Sequence, residues 1–135
     1  MSRIYSHIYI TRRDVLASLI NVFSLLYSRV YLAMVAILNA IVWWGSIYIY
    51  QHISGDLLIL HYNVDFGINL IGDPKRIFIF PSLVLFLSLL NVFLLLFFHK
   101  DRYLKFMVHL FLSSAVLINI FMLVALMSIY LINFR

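Results

Sequence analysis

Three stretches of this chain carry no Asp, Glu, Lys or Arg and are long enough to cross a bilayer: Tyr31–Tyr50, Pro81–Phe98 and Phe106–Ile132. A helix rises 1.5 Å per residue, so about 20 residues match a hydrocarbon core of roughly 30 Å. The second stretch sits near the lower limit, and the third exceeds what a perpendicular helix needs, which predicts tilt or an emergent end. Backbone surrounded by lipid must satisfy its own hydrogen bonds, so each stretch is read as a helix. The predicted fold class is an all-α integral membrane protein, a single domain over residues 1–135 with three transmembrane helices. Composition agrees: 65% of the residues are hydrophobic and 11% charged, against about 45–50% and about 25% in soluble domains.

Ahead of the first span lie a basic tail, residues 1–13, and a shorter apolar segment, residues 14–28. The tail has Arg3, Arg12 and Arg13 but no compact apolar run ending in a small-residue cleavage site, so no cleavable signal peptide is expected. Thr11-Arg-Arg-Asp14 has capping-box spacing and predicts a helix start near Arg12. Leu16, Leu19, Ile20, Phe23 and Leu26 then recur at helical period, with Asp14, Ser18, Asn21 and Ser28 opposite. Val15–Tyr27 covers only about 20 Å, and Ser28-Arg29-Val30 leaves no room for a hairpin before the next run. An amphipathic helix in the cytoplasmic interface, or a bent extension of the first span, is expected, with Arg29 at headgroup level. Trp43, Trp44, Tyr48 and Tyr50 load one end of that span and Tyr27 and Tyr31 the other, as aromatic belts do.

Orientation follows from the flanks. Arg3, Arg12, Arg13 and Arg29 precede span one, and Lys100, Arg102 and Lys105 fill the connector at 99–105. The long loop offers only Lys75 and Arg76 against Asp56, Asp65 and Asp73. The positive-inside rule puts the N-terminus in the cytoplasm and the loop and C-terminus outside. The basic residues flank apolar runs instead of forming a face with interleaved aromatics, so no nucleic-acid partner is expected.

The loop, residues 51–80, is the one long segment that is neither span nor basic flank. Asp56–Val64 is β-branched and aromatic enough for a strand, Gly72-Asp73-Pro74-Lys75 reads as a turn, and Arg76–Phe80 is the expected return strand. A small β-hairpin or an irregular cap over the helix ends both suit it. Pro81 suits the first turn of span two. His61, Asn63 and Asp65 would share one strand face by the period of two. With His52, Asp56 and Asp73 they are conceivable zinc donors, but no HExxH-like spacing and no Cys support a metal site. Ser54, His61 and Asp56 make a triad only on paper, since no G-x-S-x-G elbow is present. No catalytic residue, metal or cofactor is expected.

Within the spans, His109 is the one ionisable group, a turn from the basic connector, where a hydrated or hydrogen-bonded ring is the plain expectation. Each span carries one Asn near its middle, Asn39, Asn91 and Asn119, at similar depth, with Ser46, Ser88, Ser113 and Ser114 available beside them. An amide facing lipid is left unsatisfied, so at least two of the three should point inward and join helices. Neither an internal repeat nor a GxxxG pair is present.

At His61-Tyr-Asn63, followed by Gly67, Asn69, Gly72, Lys75 and Pro81, the segment Leu57–Phe98 resembles the domain of unknown function 1648 of SdpI-type bacterial membrane proteins. That pattern runs from an apolar stretch through His-Phe/Tyr-Asn, Gly, an acid, a small residue and Lys to a Pro opening the next helix; here Asn69 stands in the acid's place. The resemblance implies a bacterial inner-membrane protein with a β-like outer loop, no established catalysis, and an immunity-like role against a secreted peptide. His61, Asn63, Asp65, Gly67, Asn69 and Lys75 are then the candidate recognition residues. The expected function is a non-enzymatic binding or accessory protein, its loop contacting a peptide or protein, its helices in contact with the lipid bilayer and assembling as a homo-oligomer or in a larger membrane complex. A small transporter or channel subunit is the alternative.

Overall fold

The computed structural model describes residues 12–53, 55, 57–63, 67–97 and 103–134. Its elements in chain order are α1 (Arg12–Ser24), α2 (Leu26–His52), β1 (Leu58–Asn63), β2 (Gly67–Gly72), a short 3₁₀ helix (Pro74–Phe78), α3 (Ile79–Phe97) and α4 (Leu104–Asn133). α2, α4 and the continuous 3₁₀–α3 segment are each long and apolar enough to cross a membrane. The helices extend a few residues beyond the uncharged runs, because helix hydrogen bonding does not stop where hydropathy does.

α2 and α4 run parallel, with α3 antiparallel to α4. Near one end Tyr31 meets His109, further along Val35 packs with Ala115 and Val116, and near the other end Tyr48 meets Tyr130. Ile49, Leu126 and Ile129 close the bundle at the hairpin end; Val22, Leu95, Val108 and Leu112 close it at the opposite end.

The first helix neither forms a hairpin with the next nor continues it smoothly. The backbone breaks at Leu25, which adopts an extended conformation (φ −80°, ψ 120°). The carbonyls freed by the break find partners: Phe23 O accepts from Arg29 Nε at 2.7 Å, Asn21 O from Ser24 Oγ at 2.8 Å, and Val22 O from the Leu25 N–H. Arg29 therefore caps α1, where a cation also suits the negative end of the helix dipole. Of the expected facial split of this segment, the position of Ser28 is corrected. Val22 is buried against α3 and α4, whereas Leu16, Ile20, Phe23 and Leu26 face outward, and Ser28, expected on the polar side, is fully buried. The helix wedges one residue into the bundle end and leaves an apolar face uncovered. Thr11 and the Asp14 side chain of the expected capping box lie outside what is described.

Between α2 and α3 the chain makes an antiparallel hairpin, with Leu58 opposite Gly72, Ile59 opposite Ile71 and Asn63 opposite Gly67. The return strand is Gly67–Gly72, not Arg76–Phe80 as the sequence reading has it. Pro74 supplies the fixed φ that starts the 3₁₀ helix, and the Asp73 carboxylate accepts from the Lys75 N–H at 2.8 Å. These two residues commit Arg76–Phe80 to helical geometry that feeds directly into α3. The hairpin is bound to the helices by Leu58 and Ile77, both fully buried against Ile49, Leu126 and Ile129. Burial of this kind is worth about 1.5–3 kcal/mol per side chain.

Candidate functional site

Two places gather the polar residues singled out by sequence: the hairpin and the middle of the bundle. On the hairpin, His61 is exposed on β1, where the register slips on both sides of it. Asp65 and the side chains of Asn63 and Asn69 lie outside what is described. The backbone of Asn63 stands opposite Gly67, which opens β2 with a positive φ of 76°. Lys75 is exposed on the 3₁₀ helix. Of the recognition candidates, His61 borders a groove under the hairpin and Lys75 faces a different one.

The two edges of the sheet are unlike. The outer edge of β1 is closed by Asn133, at the far end of α4: its Oδ1 accepts from the Ile59 N–H at 3.0 Å, and its Nδ2 donates to the Ile59 carbonyl at 2.9 Å and to the Ile129 carbonyl at 2.8 Å. One side-chain amide thus occupies the edge as a neighbouring strand's peptide group would. Because Ile59 turns both backbone groups away from β2, the Ile59–Ile71 pair is of the non-hydrogen-bonded kind, and Ile71 points its own N–H and C=O to the opposite side. Among the described residues no strand pairs with that side of β2. Leu70 and Ile71 are each about half exposed there (47% and 48%). Asn133 is the residue the sequence reading missed. The available signal was a lone amide ending the third apolar run, 74 residues from its partner.

Under the hairpin lies a groove of about 610 Å³, with His61 and Arg76 among its lining residues and Phe80, Ala125, Ile129 and Ile132 supplying apolar surface. Among the described residues no three His, Cys, Asp or Glu side chains converge as a metal site would require.

In the bundle, Asn119 is fully buried and donates to Ser88 Oγ on α3 at 3.1 Å and to the Ala115 carbonyl at 2.9 Å. Asn91 is half-buried, its Oδ1 3.4 Å from Ser114 Oγ, whose single proton is drawn first to the Phe111 carbonyl at 2.8 Å. Asn39 is buried on α2. It stands one turn beyond Val35, as Asn119 stands one turn beyond Ala115, and those two alanine and valine residues pack together. Asn39 Nδ2 and Asn119 Oδ1 are left without partners. Ser113, by contrast, bonds only its own helix, at the Leu110 carbonyl. The arrangement ties α3 to α4 through amide and hydroxyl groups. Replacing Asn119 with Leu should lower the unfolding free energy in detergent by about 0.5–1.5 kcal/mol, the range for interhelical polar contacts in apolar surroundings. A double-mutant cycle with Ser88→Ala checks it: a coupling of about 0.6 kcal/mol assigns the loss to this bond.

A second aromatic group marks the end of the bundle away from the hairpin. His109 stacks on Tyr27 with ring centroids 4.6 Å apart and meets the Tyr31 hydroxyl through Nδ1 at 3.3 Å. At the hairpin end Tyr48 stacks on His52, and Trp43 and Tyr50 lie against Phe78. The two groups are separated by the apolar length of α2, as interfacial belts are.

Comparison with protein-family models, with curated proteins and with solved structures finds no match for this chain.

Proposed function

We propose that the chain is a small, non-enzymatic integral membrane protein of the bacterial inner membrane that acts as a binding or accessory protein through its hairpin. The N-terminus is cytoplasmic, and the hairpin and C-terminus are on the outer face. The observation that carries this reading is the asymmetry of the sheet. Asn133 closes the β1 edge, while β2 offers the Ile71 peptide groups and the half-exposed Leu70 and Ile71 side chains. An open edge of this kind binds extended peptides by strand addition, with backbone bonds supplying affinity and flanking side chains supplying selectivity. An immunity-like capture of a secreted peptide is the specific form that the resemblance to SdpI-type proteins suggests. A transporter or channel subunit is the alternative: Asn119 donates to Ser88 and to its own helix, while Asn39 Nδ2, Asn119 Oδ1 and the Ser28 and Ser46 hydroxyls are buried without partners.

Ile71→Pro tests the reading, because it deletes the outward N–H without touching the ladder between the strands, and edge strands tolerate Pro. With a photo-crosslinking residue in place of Leu70, cells expressing the wild-type hairpin should yield a discrete adduct. Ile71→Pro should reduce it roughly fivefold or more, as loss of about 1 kcal/mol of hydrogen bonding does, and Ile71→Val should retain it. An adduct of equal yield in the Pro variant would remove strand addition from consideration.

A further inference from the structure

Two apolar grooves descend from the 3₁₀ helix, and Ile79, 61% exposed, borders both. The first, of about 610 Å³, has Arg76 and His61 among its lining residues and a floor formed by Ala125, Ser128, Ile129 and Ile132 of α4. The second is shallow and open; it has Lys75 at one end and runs over the exposed Ser82, Leu83 and Phe86 of α3. Each floor follows the i, i+3, i+4, i+7 spacing of a single helix face, so each runs along its helix for about 10 Å, two turns, against about 15 Å of hydrocarbon in one leaflet. The serines do not make the grooves polar: Ser82 Oγ donates to the Phe78 carbonyl at 2.7 Å and Ser128 Oγ to the Val124 carbonyl at 3.0 Å. Acyl chains, not sugars or peptides, suit such surfaces.

The heads of the two grooves are adjacent residues of like charge. Lys75 and Arg76 are both exposed, and among the described residues no acid pairs with the Arg76 guanidinium. The nearest carboxylate in sequence, Asp73, accepts from the Lys75 backbone N–H. Arg76 is also positioned by its surroundings. A Cβ at Gly72 would lie 2.9 Å from Arg76 Cδ and 3.4 Å from Nε, so the absence of a side chain there lets the arginine stem lie across the end of β2. An exposed guanidinium with an imidazole lining the same groove, and a lysine next to it in sequence, is phosphate-binding chemistry.

We infer that Lys75 and Arg76 hold the phosphate of an anionic diacyl phospholipid in the leaflet on the hairpin side, with one acyl chain in each of the grooves flanking Ile79. The site rests on the membrane-spanning reading alone and does not require β2 to be a docking strand. The lipid would fill the space beneath the hairpin and fasten the 3₁₀ helix to the bilayer surface, as basic pockets between membrane helices do with anionic headgroups.

The test uses the full chain purified in mild detergent, after alkaline washing has shown that it stays with the membrane; release by that wash would overturn the membrane reading itself. Native mass spectrometry then compares phosphatidylglycerol, phosphatidylcholine of the same chains, lysophosphatidylglycerol and inorganic phosphate as competitors. The expected result is preferential retention of phosphatidylglycerol, weaker retention of the single-chain form, and no displacement by inorganic phosphate. Arg76→Gln should weaken phosphatidylglycerol about tenfold, the effect of losing one charge-assisted bond, with Arg76→Lys in between. Lys75→Gln/Arg76→Gln should abolish the preference while circular dichroism shows unchanged helix content. Equal retention of phosphatidylcholine, or undiminished phosphatidylglycerol in the double variant, would overturn the inference. Displacement by inorganic phosphate would make the site a free-anion site instead.

Discussion

Replacing Asn133 with Ala should release the hairpin from the bundle. The substitution removes both bonds to Ile59 and leaves that residue's N–H and carbonyl unpaired in a partly buried position. Each such orphaned group costs about 1–3 kcal/mol, so a local destabilisation of about 2–4 kcal/mol is expected. The loss should be confined to one end of the molecule, because among the described residues the Asn133 side chain bonds β1 and its own helix. Hydrogen exchange reads this directly: the Ile59 amide should lose protection by about 1.5 to 3 orders of magnitude, while amides in the middle of α4 near Ala115 change little. Asn133→Asp separates the two halves of the interaction. A carboxylate still accepts from the Ile59 N–H but cannot donate to its carbonyl, so intermediate protection is expected. Protection equal to wild type in Asn133→Ala would mean that Leu58 and Ile77 hold the hairpin unaided.

This bond also shows where sequence reading reaches its end. Hydropathy reveals the three apolar helices because each is a continuous run set by one solvent, the bilayer, and needs no knowledge of its neighbours. The depth of Asn39, Asn91 and Asn119 is legible for the same reason, yet depth says nothing of partners. Asn119 reaches Ser88, Asn91 lies beside Ser114, and Asn39 Nδ2 has none. Those differences depend on helix rotation, which side-chain packing sets. The hairpin was half legible. β-branched and aromatic residues marked β1, but the apolar residues of 76–80 look equally like a strand, and only the Asp73–Pro74 start decides for a helix. Ile68, Leu70 and Ile71, which do form the return strand, sit between Gly67 and Gly72, and those glycines read as loop punctuation. Asn133 and Ile59 are joined across 74 residues, and Arg76 is placed by a missing side chain at Gly72. Neither relation leaves a periodic trace.

The same kind of relation places Gly45 at a close approach between α2 and α4. A Cβ there would lie 2.7 Å from Leu126 Cδ2, closer than packed carbons come. Leu126 is itself buried, beside Ile49 and Ile129. Gly45→Ala should be close to neutral, since the leucine end can rotate away and Ala is favoured over Gly in a helix by about 1 kcal/mol. Gly45→Ile adds branches that rotation cannot clear, and the helices must separate. A loss of about 2–3 kcal/mol is expected, as for overpacked cores, measured by reversible unfolding in mixed micelles. Leu126→Ala removes the opposing atoms. By itself it should cost about 2–4 kcal/mol through the cavity it leaves, but with Gly45→Ile the new side chain fills that space. The double variant should therefore be at least about 1 kcal/mol more stable than the sum of the single losses predicts. Strict additivity would mean that α2 and α4 do not meet at this point. The parallel arrangement that puts Asn133 beside β1, and with it the closed β1 edge and the open β2 edge, would then need to be redrawn.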